Sequence, residues 1–544
     1  MLKHSFLCIL SIFLLPSTFA QVVEFTDGSK VNELDFIAWN GDSLLGENAS
    51  SYFYSELVKY GYWDLQLDSL VLAEEKWKGF GKLGDLYQYS GINIHHKIRN
   101  FVGKPRNYFD KFPLKERRAK VLEYYLDHGY PFAKVYYDSL SISGGIVSAR
   151  MNVSENGLQL IDSLVIKSND RFSEKVLRQM IQFRAGQVYN SSEILKLSEI
   201  LNQYSFLRST AEPRVLFTPK KNVLYVYIAE EKAHYFDGLI GFASDEAGDV
   251  SFRGKLEFKL ENAFHRGEEI YLKWDAQGEK FQSLKTHVAM PFIVSSWGAE
   301  VDLKIYKQDS SFVKTDYSIG VQYFWKSFWK LGLGVENSES SITKDVVLAT
   351  DVLSAYEKTL YYSKLNYQKL DRTIQSKEGG KFDLILKAGT RDENEISSSE
   401  YLIDLDFAWY FPLRKSFSIK TGLTYKNRIT EGLSDNNLLF LGGSQNMRGF
   451  LENQFQLSSY VVLSPSVRYH FSQDYMLEIF TDQGLTYHPS DAELNEKHIW
   501  SGGMQIEMPI KSGWLYLGYG IGKQGDSTFD ISEGVVHFGL RNIF

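Results

Sequence analysis

From about Tyr235 onward the chain alternates apolar and polar residues with a period of two, in segment after segment up to Phe544. Successive side chains of a strand point to opposite faces, so this pattern specifies strands with one apolar and one polar side. In Ile270-Tyr271-Leu272-Lys273-Trp274-Asp275-Ala276 one face carries Ile, Leu, Trp and Ala, and the other Tyr, Lys and Asp. The stretch from Phe252 to Leu260 alternates in the same way. A soluble β-sandwich alternates as well. Strand length, an aromatic content of 15% and charged faces repeated across many segments point instead to lipid outside and water within. Backbone groups in lipid must pair internally, and a closed barrel achieves this without leaving an edge.

The N-terminus fits export. Lys3 and His4 precede an apolar run from Phe6 to Leu15, and Thr18 and Ala20 stand at the small-residue positions of a signal-peptidase site. This predicts a signal peptide over residues 1–20, cleaved after Ala20. The single cysteine, Cys8, lies inside that segment, so the mature chain is expected to have no disulfide, thiol nucleophile or cysteine metal site. No later run is long and apolar enough for a transmembrane helix. A formal charge of −7 argues against nucleic acid as a partner.

Residues 21–234 have a different, mixed texture. The helix-like run Leu122 to His128 is stopped by Gly129 and followed by a strand-like run, and Tyr54 to Tyr60 with Gly61 repeats the arrangement. The best-formed unit reads as a strand at 160–166, a helix at 173–183 capped by Ser173 and closed by Gly186, and a second helix from Ser191 or Ser192 to Tyr204. Strands at 214–217 and 223–230 follow, giving the order β-α-α-β-β. The His95-His96 doublet reads as solvated or packed rather than metal-bound. No metal and no cofactor are expected.

Counting alternating segments in the C-terminal half gives about eleven before Leu441 and about five after it, about 16 in all. Between the two groups lies Leu441-Gly442-Gly443-Ser444-Gln445-Asn446-Met447-Arg448-Gly449-Phe450, which does not alternate. A glycine pair and one arginine between Met447 and Gly449 make a poor strand and suit a loop tip that docks somewhere.

These features together resemble the BamA/TamA superfamily of outer-membrane assembly and translocation barrels. The β-α-α-β-β unit resembles a polypeptide-transport-associated (POTRA) domain, whose edge strand takes up extended peptides by β-augmentation. The resemblance implies α+β periplasmic POTRA repeats followed by an all-β transmembrane barrel of about 16 antiparallel strands. The expected boundaries are a degenerate or partial POTRA-like region at 21–83, a POTRA-like domain at 84–156, a POTRA domain at 157–234 and the barrel at 235–544. In that family the sixth extracellular loop folds into the lumen and carries an Arg-Gly-aromatic tip, here Arg448, Gly449 and Phe450 preceded by Gly442 and Gly443. A Phe-x-Asp-x-Gly motif on the thirteenth strand corresponds to Phe480, Asp482 and Gly484, and the resemblance implies that Arg448 pairs with Asp482. Asn262-Ala263-Phe264-His265-Arg266-Gly267-Glu268 resembles the family's periplasmic turn, with His265 in place of a glycine. The final segment, with Phe538 and the terminal Phe544, resembles the C-terminal signal for barrel insertion.

The chain has no Gly-x-Ser-x-Gly elbow, His-Glu-x-x-His or phosphate loop, so no enzyme activity is expected and the patatin-fused branch is excluded. Two functions remain open. One is an assembly factor, TamA-like or short BamA-like, that takes unfolded outer-membrane or secreted polypeptides onto its POTRA units and inserts or translocates them. Its 223–230 strand is then expected to contact client chains. A TamB-like periplasmic partner or accessory lipoproteins would accompany it, with the outer-membrane bilayer around the barrel. The other is a two-partner-type secretion pore for a dedicated exoprotein, with a plug hidden in 21–83. An ordinary porin with spacer domains leaves the paired loop and strand motifs without a purpose.

Overall fold

The computed structural model describes residues 23–25, 30–31, 54, 57–58, 62, 64–73, 76–94 and 114–543. Within the last span there are breaks at 145, 169–171, 245–249, 278–280, 309–311, 326–327, 343–352, 373–374, 394–395, 432, 445, 473, 489–495, 511–512 and 526. The signal-peptide segment, the His95-His96 doublet, Phe544 and most of the 54–61 helix lie outside the described residues. Among the described residues no helix is long and apolar enough to cross a membrane.

The chain forms two compact units, Met1–Leu160 with Val188–Ser192, and Ile161–Gln187 with Glu193–Phe544. In the first, Gln66–Ala73 and Lys76–Lys82 pair antiparallel, and Val23–Phe25 joins Lys76–Lys82 in parallel. A second sheet centres on Ile146–Ser154, with Gln88–Ile94 parallel on one side and Lys134–Ser143 antiparallel on the other. Helix α1 (Leu114–Asp127) buries Val121 and Tyr125 against Ala133, Val135 and Met151 of this layer. The chain leaves α1 through Gly129 at φ +96°, the left-handed conformation that glycine adopts without steric cost.

The second unit begins with a three-stranded sheet, Ser163–Lys167, Leu207–Phe217 and Asn222–Glu230, covered by helices α2 (Glu174–Met180) and α3 (Ser191–Leu201). Their buried faces, Val176, Leu177 and Met180 on α2 and Ile194, Leu197, Ile200 and Leu201 on α3, recur at helical spacing. Three expectations are corrected here. Helix α2 stops at Met180 rather than at Phe183, because Gln182 already takes a left-handed turn at φ +53°, ahead of Gly186, which takes one as well at φ +80°. The Leu207–Phe217 strand is longer than its apolar end suggested, since irregularities around Ala211 carry it through a polar stretch. Asn222–Glu230 is the central strand of the sheet, antiparallel to Leu207–Phe217 and parallel to Ser163–Lys167. Over 223–227 its backbone is paired on both sides, so the 223–230 strand is not the edge expected from the sequence to contact client chains.

Sixteen strands then close into a barrel in sequence order. They are β1 (Tyr235–Ser244), β2 (Val250–Glu261), β3 (Glu269–Gln277), β4 (Phe281–Val294), β5 (Trp297–Gln308), β6 (Phe312–Trp325), β7 (Trp329–Ile342), β8 (Tyr356–Leu370), β9 (Gly379–Glu393), β10 (Ile396–Arg414), β11 (Phe417–Thr430), β12 (Ser459–His470), β13 (Met476–Tyr487), β14 (Glu496–Ile510), β15 (Gly513–Gln524) and β16 (Val535–Ile543). Eleven strands precede the loop and five follow it, as the alternation predicts. The period-two pattern sorts outward from inward. On β6, Tyr317, Ile319 and Val321 are exposed on the outer wall, while Ser318 and Gln322 are buried within. Apolar outside and polar inside is the inverse of a soluble core and the requirement of a lipid-facing wall.

Candidate functional site

The loop between β11 and β12, residues 431–458, is the sixth on its end of the barrel, and it folds back into the lumen. Two short strands inside it, Leu439–Leu441 and Phe455–Leu457, pair antiparallel and form a stem. Phe455–Leu457 therefore belongs to the loop and not to β12, which starts at Ser459. Above the stem Gly442 and Gly443 sit at φ +124° and +102°. A side chain at Gly442 would run into the Leu451 carbonyl at 2.4 Å. Backbone bonds between Gly443 and Met447, 3.2 and 3.3 Å, close the tip.

Met447 and Phe450 are buried with Leu441, Leu457, Tyr460, Val462 and Ile499, so apolar contacts seat the tip on both flanks of the arginine. Gly484, on the same face of β13 as Asp482, leaves the space that Ile499 fills; an added Cβ would lie 2.6 Å from that side chain. Gly449 lies against β15, where an added Cβ would come 2.9 Å from the Ile521 carbonyl carbon. Gly520 and Gly522 complete the fit from the wall: a Cβ at Gly520 would be 2.8 Å from the Gly449 nitrogen, and one at Gly522 would be 2.5 Å from the Phe450 ring. Three glycines thus let two backbones approach closely.

Arg448 is the polar centre of this seat. Its Nε and Nη2 donate to the two carboxylate oxygens of Asp482 at 3.0 and 2.6 Å, and its backbone N–H donates to Asp482 Oδ2 at 3.0 Å. Nη1 donates to Glu478 Oε1 at 2.9 Å. The guanidinium carbon lies 3.6 Å from the centre of the Phe480 ring. Glu478, Phe480 and Asp482 are alternate residues of β13, all on the lumenal face, so the strand's pleat supplies an aromatic floor with a carboxylate at each end. The planar guanidinium matches both elements at once, by a bidentate fork and by stacking, which an ammonium does not reproduce. Glu478 also pairs with Arg468 of β12 at 2.8 Å and accepts from Gln505 of β14 at 3.3 Å. All four polar partners are buried.

Of the residues singled out by sequence, the structure brings Gly442, Gly443, Arg448, Gly449, Phe450, Phe480, Asp482 and Gly484 into one constellation. Glu478, Arg468, Gln505, Gly520 and Gly522 were missed. Glu478 was legible in principle, because it stands four residues before Asp482 and shares its face by period two. The turn motif is a separate feature at the opposite barrel rim. There Asn262 and Glu268 are buried while Phe264 and Arg266 are exposed. Glu268 accepts from the backbone N–H groups of Phe264 and Arg266, and Asn262 Oδ1 accepts from Gly267 N at 2.9 Å. His265 holds φ +57°, the conformation natural to the glycine it replaces. Phe538 lies on β16 with its ring exposed on the outer wall.

Comparison with known proteins agrees with this architecture. The Omp85 superfamily domain matches residues 262–540, and a POTRA domain described as a surface antigen variable number repeat matches residues 160–231. Among solved structures, CdiB from Escherichia coli is similar at 12% identity and a TM-score of 0.53, covering 85% of this chain and 91% of its own. CdiB from Acinetobacter baumannii is similar at 12% identity and a TM-score of 0.51, covering 91% and 98%. BamA from Haemophilus ducreyi lacking POTRA domains 1–3 matches at 14% identity and a TM-score of 0.45, covering 84% and 100%. The superfamily match spans more than half of the 544 residues, over the strands and loop just described, and the chain belongs to the Omp85 superfamily.

Proposed function

We propose that the protein is an outer-membrane assembly or translocation factor, TamA-like or short BamA-like, with its N-terminal domains in the periplasm. It receives unfolded polypeptides at exposed strand edges and passes them into or across the bilayer, without a catalytic step. The observation that carries this reading is the barrel's closing seam. Every consecutive strand pair shares at least eight residue partners, the fewest being β3–β4 and β15–β16. Strands β1 and β16 share two, Tyr235 with Ile543 and Phe236 with Asn542. Residues 237–244 of β1 and 535–541 of β16 therefore face the seam with no ladder partner across it. A backbone edge within the height of a membrane is costly to leave unpaired, and an incoming strand supplies the missing hydrogen bonds. The membrane-proximal POTRA sheet offers the same chemistry along the outer edges of Ser163–Lys167 and Leu207–Phe217. The domain at 84–156, with its own three-stranded sheet and α1, serves as a second POTRA unit with edges of its own. A TamB-like partner or accessory lipoproteins would act on the same N-terminal units.

The test is photo-cross-linking in intact cells, with the probe at Gly241 on the seam, at Ile319 on the fully paired wall, and at Val165 and Val226 in the POTRA sheet. Seam and Val165 probes are expected to capture unfolded outer-membrane polypeptides, whereas Ile319 and Val226 probes are expected to capture none. Capture of a single large exported polypeptide, with the outer-membrane proteome unchanged on depletion, would instead identify a dedicated secretion pore.

A further inference from the structure

The lumenal loop is held at its tip by Arg448, but a second buried polar cluster holds its base on a different sector of the wall. Residues Asp435–Asn437 form a single 3-10 turn just after β11. Asn437 is fully buried there between three charged side chains. Its amide oxygen accepts from Lys358 Nζ on β8 at 3.0 Å and from Arg428 Nη1 on β11. Its amide nitrogen donates to Glu400 Oε2 on β10 at 3.1 Å. Lys358 and Glu400 pair with each other at 2.9 Å. The neighbouring Asn436 donates to Ser340 Oγ on β7 at 2.8 Å and to the Ser354 carbonyl at 2.7 Å, and its own carbonyl accepts from the Tyr356 hydroxyl at 3.3 Å.

The chemistry asks for an amide at position 437. Two cations converge on one side and a carboxylate on the other, and an asparagine side chain presents an acceptor to the first and a donor to the second. Asn437, Lys358 and Glu400 are buried, so a bond lost among them leaves a desolvated polar group behind. None of these contacts is shared with the tip, whose partners stand on β12 through β16. Between the two anchors lie the hairpin stem and the Gly442-Gly443 pair, two consecutive residues that both adopt positive φ.

We propose that Asn437 is a positioning residue that forms a second, independent anchor, with Lys358, Glu400 and Arg428 as its socket. The base keeps the loop inside the lumen when the tip leaves Asp482, so tip release becomes a swing about Gly442-Gly443 rather than expulsion of the whole loop. The inference holds whichever client the barrel serves.

The experiment uses the full chain with Cys8 replaced by serine, in outer-membrane preparations. One cysteine is placed either at Ser434, beside the base, or at Ser444, at the tip, and its labelling by a membrane-impermeant maleimide is timed. Asn437→Leu keeps the branched shape of the side chain and removes the amide; it is expected to speed labelling at position 434 by about tenfold or more while leaving position 444 at the parental rate. Arg448→Lys is expected to do the reverse. Heat-modifiable migration reports that each barrel has folded. If Asn437→Leu does not fold, Lys358→Met removes the same contact from the wall and carries the same expectation. Unchanged labelling at 434, or a parallel rise at both positions in either variant, would overturn the proposal.

Discussion

The POTRA domain next to the barrel buries a mainly apolar core, whereas the barrel lumen buries charged side chains as well, and the contrast shows what holds each together. In the POTRA domain the buried set includes Leu164, Val176, Leu177, Leu197, Ile200, Leu224 and Val226, and release of water from apolar surface drives its folding. In the lumen the buried set adds Lys358, Glu400, Arg448, Glu478 and Asp482 to the apolar seat of the loop tip, while residues such as Ile319, Val321 and Leu333 are exposed on the outer wall. Burying charges has a desolvation cost that only close, well-directed partners offset, so the lumen depends on geometry where the POTRA core depends on area. An apolar core loses stability in proportion to what is removed. An ion cluster fails through the member left behind.

The largest effect should come from removing one member of the tip cluster. Arg448→Ala leaves Asp482 buried without the guanidinium it pairs with, whereas Glu478 keeps Arg468. We expect a loss of about 3–5 kcal/mol in urea unfolding of the barrel, seen also as a smaller heat-modifiable fraction, with the POTRA domains still folded. Asp482→Ala in the same background should cost little more, giving a coupling of about 1–3 kcal/mol in the double-mutant cycle. Additive losses would mean that the two residues act separately and that the lumen is not organised by pairing.

The matching test on the other side of the contrast is Leu224→Ala. Leu224 is buried on the central POTRA strand between Val215 and Leu164. We expect a cost of about 2–5 kcal/mol, confined to the POTRA domain. Hydrogen exchange over 207–230 should lose protection while the barrel keeps its heat-modifiable migration. A barrel that loosens with it would show that the two regions do not fold as separate bodies.

The same contrast explains what was legible in the sequence. Strand number was, because a lipid-facing wall imposes its polarity on each strand locally and sixteen times over. The tip motif was, because Arg448, Asp482 and their glycines are set in short, dense stretches. The order of strands in the POTRA sheet was not: Val223 to Ile228 is the most apolar strand of the domain, and only non-local pairing on both sides shows that it is central. The base anchor was hidden for a similar reason. Asn437 meets Lys358 and Glu400 across 79 and 37 residues of chain, and nothing in the local pattern around any of the three marks them as partners. Helix α2 ended early because Gln182 accepts a left-handed turn that glycine would have advertised.

The smallest effect tests a site where neither apolar area nor ion pairing decides. In the turn after β2, His265 holds φ +57° with its side chain exposed, and the buried Asn262 and Glu268 hold the backbone around it. A side chain in this conformation costs roughly 1 kcal/mol through the approach of Cβ to the backbone carbonyl, and glycine escapes that cost. Glycine also gives the unfolded chain more freedom to lose, which opposes the gain. His265→Gly should therefore stabilise the barrel by less than about 1 kcal/mol, measured as a small rise in the urea midpoint with an unchanged slope. Destabilisation would mean that the imidazole makes a contact worth more than the strain it imposes, and would move this rim turn from backbone geometry into the side-chain regime of the lumen.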